Sequence, residues 1–303
     1  MCNADNMWDM VTDGEHWRNC PLDVQGLATT AVEAARRAVQ EAAISRRQQW
    51  QVTTTGSLIT SAFSALENLI VGGHRADGWA PLSGFFETKD GWIRLHGNYP
   101  HHAGAILRAL DATDKRSLQT SLSRVNAEEA EEVVIRCGGV AAAVRTPEEW
   151  QLHPQEIATC GDPWFSVKSK GPRRTLEGGI LPMDGVRVLD LTRVIAGPTC
   201  SQLFACLGAD VLRVDPPGRS ELEDQYYSNA MGKRSAVADW GKHQEDLEEL
   251  LAKADVVLLG YRPRSLRRFG LDSDDLRRRH GHLIVASLSA WGGIRPVGWA
   301  FRL

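Results

Sequence analysis

The sequence lacks the features that mark secreted and membrane proteins. Its first residues, MCNADNMWDMVTDGEHW, carry acids and no apolar stretch of the kind found in a secretory signal. No apolar run reaches the roughly 18 to 20 residues of a membrane span. The six cysteines form no C-x-x-C pair and have no histidines at zinc spacing. These absences predict a cytoplasmic protein with reduced cysteines, no membrane association and no bound metal.

Several common catalytic and nucleotide-binding motifs are also missing. The sequence has no G-x-S-x-G nucleophile elbow, no Walker A loop and no H-E-x-x-H pair. The net charge is only -3, and the arginine-rich stretch near the C-terminus has no interleaved aromatic residues. Common hydrolases, P-loop NTPases and nucleic-acid binding are therefore disfavoured, and any anion site must be local.

The length and composition indicate a folded protein of more than one part. The chain has 303 residues, of which 43% are apolar and 24% are charged. Since domains usually hold about 100 to 200 residues, this length predicts two domains or one large domain with an appendage. The composition is typical of a globular protein and not of a disordered one.

The first 75 residues are predicted to be a helical segment. Apolar residues recur at steps of three and four over Leu27–Arg47, which predicts a helix rich in Ala, Glu and Arg. A second helix is predicted from Ser57 to about Val71, with Gly72 and Gly73 ending it as C-cap residues.

Residues 76–165 are predicted to form a small α+β unit. Two short aromatic and β-branched runs in SGFFETKDGWIRLHG meet at Asp90 and Gly91, a strong hairpin signal. Helix signals follow. The segment NAEEAEEVVIRCGG is predicted to be a helix with Asn126 as its N-cap, and RTPEEW has the sequence of a capping box. These signals concern folding and not chemistry.

The C-terminal half has the pattern of an α/β domain. Residues 166–183 are rich in Gly, Pro and basic residues and are predicted to be a linker before a domain over 184–303. There the strands VRVLDL, DVLRVD, DVVLLG and LIVASLSAW alternate with helical segments. This order predicts a doubly wound, Rossmann-like parallel sheet, whose ligands lie outside the carboxyl ends of the strands.

Features near those strand ends are consistent with an anionic ligand. The helix that starts near Pro198 would present backbone N–H groups and a partial positive charge. Tyr261 could stack on a base. Basic residues near strand ends are Arg193, Lys233, Arg234, Arg262, Arg264, Arg267 and Arg268. The alternative is a plain turn with arginines that solvate a helix face, and this alternative is favoured for Arg277–Arg279.

A dinucleotide cofactor is the main competing ligand. Asp215 ends the second strand, where a Rossmann dehydrogenase places the acid that binds the ribose. The preceding turn, R-V-I-A-G-P, has a single glycine, and its proline removes an N–H group. NAD is therefore disfavoured.

The quoted segments resemble the opening half of family III coenzyme A transferases, which include formyl-CoA transferase, carnitine CoA-transferase and α-methylacyl-CoA racemase. DGVRVLDLTRVIAGPTCSQLFACLGADVLRVDPPG, GKRSAVADW, ADVVLLGYRPRSLRRFGL and LIVASLSAWG carry the resemblance. It implies CoA or acyl-CoA as substrate, without a metal, and transfer of CoA between carboxylic acids. Together with the basic strand ends, it implies CoA contacts at Arg193, Ile195, Ala196, Asp239, Lys242, Gly260, Tyr261, Arg262 and Arg268.

The first half more weakly resembles the other end of the same family. SGFFETKDGWIRLHGN is similar to the small-domain hairpin of the family, and CGGVAAAVRTPEEWQLHPQ to a late segment. The order is thus inverted, as in a tandem or permuted member.

The resemblance also bears on catalysis and assembly. The family's catalytic aspartate lies beyond the matched segment, so we expect it to be missing here and assign no catalytic residue. A noncatalytic CoA-binding remnant and a racemase-like epimerase stay open as alternatives. The resemblance further implies a homodimer or a partner chain of the same family.

Overall fold

The computed structural model describes residues 22–168 and 179–290. Contacts divide the chain into two units. The first comprises Met1–Ala76, Pro172–Leu258 and His280–Ala286, and the second comprises Asp77–Gly171, Leu259–Arg279 and Ser287–Leu303. The domain boundaries predicted from the sequence stay a prediction. Most of the predicted linker and the end of the predicted C-terminal domain lie outside the described residues.

Helices and strands alternate irregularly in the first half and regularly in the second. The first half contains α1 (Val24–Ser45), α2 (Gly56–Phe63), β1 (Ile70–Val71), β2 (His74–Arg75), β3 (Gly84–Glu87), β4 (Trp92–Leu95), α3 (Pro100–Ala109), α4 (Lys115–Leu122), α5 (Ala127–Arg136), β5 (Ala141–Ala143), α6 (Pro147–Gln151) and α7 (Pro154–Thr159). The second half contains β6 (Arg187–Leu191), α8 (Ala196–Cys206), β7 (Asp210–Asp215), α9 (Glu223–Asn229), β8 (Arg234–Val237), α10 (Gln244–Lys253), β9 (Val256–Leu259), α11 (Pro263–Arg267), α12 (Ser273–Arg279) and β10 (Ile284–Ser287).

The predicted α/β class is confirmed. The second half forms a five-stranded parallel sheet in the order β10-β9-β6-β7-β8, and the first half forms small antiparallel sheets. Apolar side chains of the central strands pack with those of α8 in a core that includes Val188, Val211, Phe204 and Leu258. No helix in the described ranges is long and apolar enough to cross a bilayer.

The helix α1 confirms the first predicted helix, and residues after it contact the chain just before β6. Asp23 caps it by accepting a hydrogen bond from the Gly26 N–H at 2.8 Å. Beyond its C-terminus, the Trp50 indole donates to the Ile180 carbonyl at 2.7 Å, and Gln48 donates to the Leu181 carbonyl at 3.0 Å. The two contacts satisfy backbone carbonyls that lie just before the sheet begins.

The second predicted helix is much shorter than expected. The helix α2 ends at Phe63, and the following residues form the β1-β2 hairpin, in which Val71 pairs with His74. Gly72 and Gly73 both have positive φ, of 57° and 84°. Two consecutive left-handed residues are what a two-residue hairpin turn requires, so the glycines close a hairpin and do not cap a helix.

The second unit contains the predicted hairpin. Strands β3 and β4 pair antiparallel with Glu87 opposite Trp92, and β5 adds a third strand beside β4. Ile93 and Leu95 point into an apolar core formed with α3, α4 and α5. The predicted capping box is confirmed, because Thr146 and Glu149 bond reciprocally at the start of α6. Asn126 does precede α5, but its side chain makes no cap hydrogen bond.

Candidate functional site

The candidate site lies at the turn between β6 and α8 in the first unit. The helix begins at Ala196, and the Thr199 N–H donates to the Ile195 carbonyl at 2.8 Å. The first N–H groups of any helix have no partner within it, and Pro198 has no N–H at all. Ala196 is exposed and Gly197 is buried, so the Ala196 amide is the first-turn donor that a ligand would meet.

Close packing explains the glycine in the A-G-P turn. A Cβ added at Gly197 would lie 2.3 Å from the Cβ and Oγ1 of Thr192, a distance that no side chain tolerates. Thr192 is itself buried and donates its backbone N–H to Asp190 at 3.0 Å. The glycine thus lets the helix start pack directly on the end of β6.

A buried polar cluster lies under the first turn of α8. Asp190 is fully buried in β6 and accepts hydrogen bonds from the hydroxyls of Thr192 and Ser201, both at 2.5 Å. The Lys233 ammonium donates to the Ser201 hydroxyl at 2.6 Å and to the Pro198 carbonyl at 2.7 Å, and lies 3.3 Å from Asp190. The cluster ties β6, the helix start and the residue before β8 together. Asp190 is therefore a structural group near the carboxyl end of β6.

Burial affects the titratable groups of this cluster. It lowers the pKa of Lys233, although the charge and hydrogen bond of Asp190 act in the opposite direction. It also raises the pKa of the Cys200 thiol, and the Asp190 charge adds to this shift. A raised pKa disfavours the thiolate form of Cys200.

A second charged network supports the turn from the side of β7. The fully buried Arg213 donates to both carboxylate oxygens of Asp215, at 2.8 and 3.0 Å, and to Glu221 at 3.2 Å. Desolvation would lower the pKa of Arg213, but the hydrogen bond and charge of Asp215 raise it, together with the charge of Glu221. Since Arg213 binds both oxygens of Asp215, this carboxylate is already engaged at the position where a dehydrogenase would use an acid for the ribose.

The predicted contacts Arg193, Ile195 and Ala196 all lie at this turn. Ile195 is 57% exposed, and Ala196 is exposed beside it. Arg193 is half-buried and donates to the Ser220 carbonyl at 2.8 Å, with its Nη2 3.6 Å from Glu221. The Arg193 guanidinium thus contacts the segment that follows β7.

Asp239 and Lys242 lie at the same edge of the sheet as the β6-α8 turn. They follow β8, and β6, β7 and β8 are parallel neighbours, so the carboxyl ends of these strands share an edge. Asp239 accepts from the Gly241 N–H at 3.0 Å, which shapes the turn. The Lys242 side chain is 80% exposed. The structure therefore places five of the predicted contacts along one edge.

The other four predicted contacts belong to the second unit. Gly260 is exposed and follows β9, and Tyr261 and Arg262 after it are half-buried. The Arg262 carbonyl accepts the Ser265 N–H at 2.9 Å at the start of α11. Arg268 is exposed, with its guanidinium 4.4 Å from the ring of Phe269.

Three of the basic residues expected near the ligand pair with acidic residues of the chain. Lys233 is buried against Asp190, with 1% of its side chain exposed, and supports the turn from below. Arg234 begins β8 and pairs with Asp210, the first residue of β7, at 2.7 Å. It therefore lies at the amino ends of the strands, opposite the candidate site. Arg267 pairs with Asp272 at 3.1 Å within the second unit.

Sequence reasoning missed three residues that hold the turn in place. Glu221 accepts from the Val194 N–H, Asn229 donates to the Val194 carbonyl, and Arg213 binds Glu221. One signal was available: Asp190 and Arg213 are charged residues inside otherwise apolar strands, and buried charges need partners.

Comparison with known proteins shows what the second half of the chain is similar to. Residues 183–297 match the family described as CoA-transferase family III, which confirms the resemblance found in the same segment. The probable fatty acyl-CoA transferase Rv3272 of Mycobacterium tuberculosis is 39% identical over 132 residues, which are 39% of this chain and 34% of that protein. A crystal structure of Rv3272 aligns with 37% of this chain and 36% of its own, at 38% identity and a TM-score of 0.34.

Two further relatives differ in how much of the chain they cover. A formyl-CoA:oxalate CoA-transferase of Afipia carboxidovorans is 36% identical over 124 residues, 36% of this chain and 29% of that protein. An acyl-CoA transferase of Gibberella moniliformis is 28% identical over 226 residues, 66% of this chain and 40% of that protein. This alignment is longer than the family match and so includes residues outside it. The chain spans 29 to 40% of the length of these relatives.

Proposed function

We propose that the first unit binds the phosphorylated part of a CoA thioester at the carboxyl edge of its sheet, and that the protein transfers CoA between carboxylic acids. The match of residues 183–297 to CoA-transferase family III is the observation that carries the proposal. The names of the relatives add fatty acyl-CoA and formyl-CoA or oxalate as classes of substrate to test.

The geometry of the turn supports this choice of ligand. The exposed amide of Ala196 and the positive end of the α8 dipole suit the oxygens of a diphosphate. Lys242 carries an exposed positive charge at the same edge. In this proposal Arg193, Ile195, Ala196, Asp239 and Lys242 contact CoA, and Gly260, Tyr261, Arg262 and Arg268 remain proposed contacts from the second unit.

The proposed chemistry is a covalent exchange on a carboxylate. A nucleophilic carboxylate, to which we assign no residue of this chain and which a partner chain of the same family would supply, attacks the thioester carbonyl, the CoA thiolate leaves, and an acyl anhydride forms. The thiolate then attacks the enzyme carbonyl of the anhydride, which gives an enzyme-bound thioester and releases the donor acid. The acceptor carboxylate completes the transfer by the reverse steps. Family resemblance also supports a cytoplasmic protein that works as a homodimer or with a partner chain of the same family.

Titration calorimetry with CoA, acetyl-CoA and NADH tests the binding step. We expect heat of binding with the first two ligands and none with NADH. The change Lys242→Ala should weaken CoA binding, whereas Lys253→Ala, which removes an exposed lysine from α10, should leave it unchanged. Clear binding of NADH without binding of CoA would contradict the proposal.

Mass spectrometry tests the transfer step. After incubation with acetyl-CoA and candidate acids, an enzyme-bound CoA thioester is expected on a carboxylate side chain. Binding without such an adduct would indicate a noncatalytic CoA-binding protein. Exchange of the α-proton of a 2-methylacyl-CoA with deuterated water, again without an adduct, would indicate an epimerase.

A further inference from the structure

The residue two positions before the start of α8 has an unusual backbone conformation. Val194 has a φ of 69°, in the left-handed region. That region is uncommon for any side chain other than Gly, Asn or Asp, and is particularly unfavourable for a β-branched residue. Such a conformation persists only when surrounding contacts hold it in place.

Both polar groups of the Val194 backbone are held by the segment after β7. The Val194 N–H donates to the Glu221 carboxylate at 3.0 Å. The Val194 carbonyl accepts from the side-chain amide of Asn229 at 3.2 Å. Asn229 is the last residue of α9 and is buried, with 5% exposure. One short stretch of chain therefore fixes Val194 on both sides.

The Glu221 carboxylate is itself fixed. Its side chain is only 1% exposed, and one oxygen lies 3.2 Å from the Arg213 guanidinium. Its other oxygen lies 3.6 Å from Arg193 and accepts the Leu222 N–H at 3.1 Å. A carboxylate held by charged donors on several sides has little freedom to move, so it can impose a conformation on the turn.

We propose that Glu221 and Asn229 are positioning residues for the anionic part of the ligand. They hold Val194 in the left-handed conformation, and this conformation sets the direction of the next peptide groups, those of Ile195 and Ala196. They include the Ala196 amide, which is the donor proposed above for the diphosphate of CoA. The inference rests on the proposed function, since it assigns a role at the same turn.

The test measures CoA affinity by titration calorimetry in Asn229→Ala and Glu221→Gln, well below the melting temperature of each variant. Loss of either contact should raise the Kd for CoA about five- to tenfold, a range typical of coupled contacts. The matched control is Glu223→Gln, which removes an exposed carboxylate of α9 that bonds to Tyr227. It should keep the Kd within about twofold of the parent value.

Val194→Gly separates positioning from a general structural role. Glycine adopts positive φ without side-chain strain, so outside contacts no longer have to offset that strain. In a Val194→Gly background, Asn229→Ala should therefore change the Kd by less than about twofold. If Asn229→Ala weakened CoA binding only by lowering the stability of the protein, Val194→Gly would not restore the affinity. Because Asn229→Ala changes no charge, it carries the test even if Glu221→Gln fails to fold.

Each outcome decides the inference. It is overturned if Asn229→Ala binds CoA like the parent, or if its loss of affinity is equally large in the Val194→Gly background. In both cases the parent still binds CoA, so the proposed function stands. Absence of CoA binding by the parent overturns the proposed function, and the positioning role falls with it.

Discussion

The two units differ in what they bury. In the second unit the largest fully buried side chains are apolar, as in Ile93, Leu95 and Ile106, and its buried polar residues, Gln155 and Glu131, lie outside this apolar core. In the first unit the fully buried Arg213 lies in β7, and Asp190, also fully buried, lies in the neighbouring strand. Apolar burial is sufficient to stabilise a fold. Buried charge adds a large desolvation cost, which is offset only when partners are well placed.

A group of buried charges in the first unit is concentrated at one place, the turn before α8. Asp190, Lys233, Arg213 and Glu221 all lie under or beside the turn that starts α8. The charges fix a stretch of backbone that has a close helix approach and a left-handed residue. The first unit thus uses polar contacts where a defined turn is needed, and the second unit, at its core, does not.

The largest expected effect comes from leaving a buried carboxylate without its cation. Lys233→Met removes the ammonium beside Asp190 and should lower the free energy of unfolding by about 3 to 5 kcal/mol. Urea unfolding measures this change. Lys253→Met makes the same substitution at an exposed site on α10 and should leave the free energy close to the parent value. Equal effects at the two positions would contradict the role given to the buried pair.

A double substitution sharpens this expectation. Asp190→Asn in the Lys233→Met background removes the stranded charge while keeping the shape of the side chain. The double variant should be more stable than Lys233→Met alone, because the buried carboxylate and not the missing ammonium dominates the loss. Additive losses from the two changes would instead show that the hydrogen bonds to Ser201 and Pro198 matter more than the charge.

The same contrast explains how far the sequence could predict this molecule. The alternation of apolar strands and helices from Arg187 onward follows local patterns, so the parallel sheet was predictable. The wrong extension of α2 arose because NLIVGGHR contains an apolar run that suits either a helix or a strand. The helix preference was overridden by the hairpin that Gly72 and Gly73 close.

The candidate site, too, was predictable only where it depends on local sequence. The A-G-P turn and the strand ends were visible in the sequence, and so was the position of Ile195 and Ala196 beside them. The partners of the buried charges were not visible, because they depend on contacts distant in sequence. Lys233 reaches Asp190 across 43 positions, and Asn229 reaches Val194 across 35. A lysine near a strand end looks the same in sequence whether it faces a ligand or a buried carboxylate.

A smaller effect is expected in the apolar core of the second unit. Ile93→Val deletes one methyl group from a fully buried residue and should lower the free energy of unfolding by about 0.5 to 1.5 kcal/mol. The control is Ile157→Val on α7, where the side chain is 63% exposed and the same change should have little effect. A loss at Ile93 as large as that of Lys233→Met would remove the contrast between the two units.

The smallest expected effect concerns a charge pair outside the buried networks. In α1 the hydrogen bond from Arg36 lowers the pKa of Glu33 from 4.5 to about 2, against the opposing effect of burial and with help from Arg37. A carboxyl whose pKa is lower in the folded state contributes its stabilisation above the unfolded value and loses it as the pH falls toward the folded one. Glu33→Gln should therefore be less stable than the parent at pH 6, by no more than about 1 kcal/mol.

This difference should disappear as the pH falls from 4.5 toward about 2, where the parent carboxyl also takes up its proton. Urea unfolding at several pH values measures it, and Glu41→Gln at an exposed position of the same helix is the control. A difference that stays constant down to pH 2 would mean that Glu33 stabilises α1 by packing and not by charge. Glu33 would then stabilise the protein by packing, as the apolar core of the second unit does, and not by charge, as the residues beside α8 do.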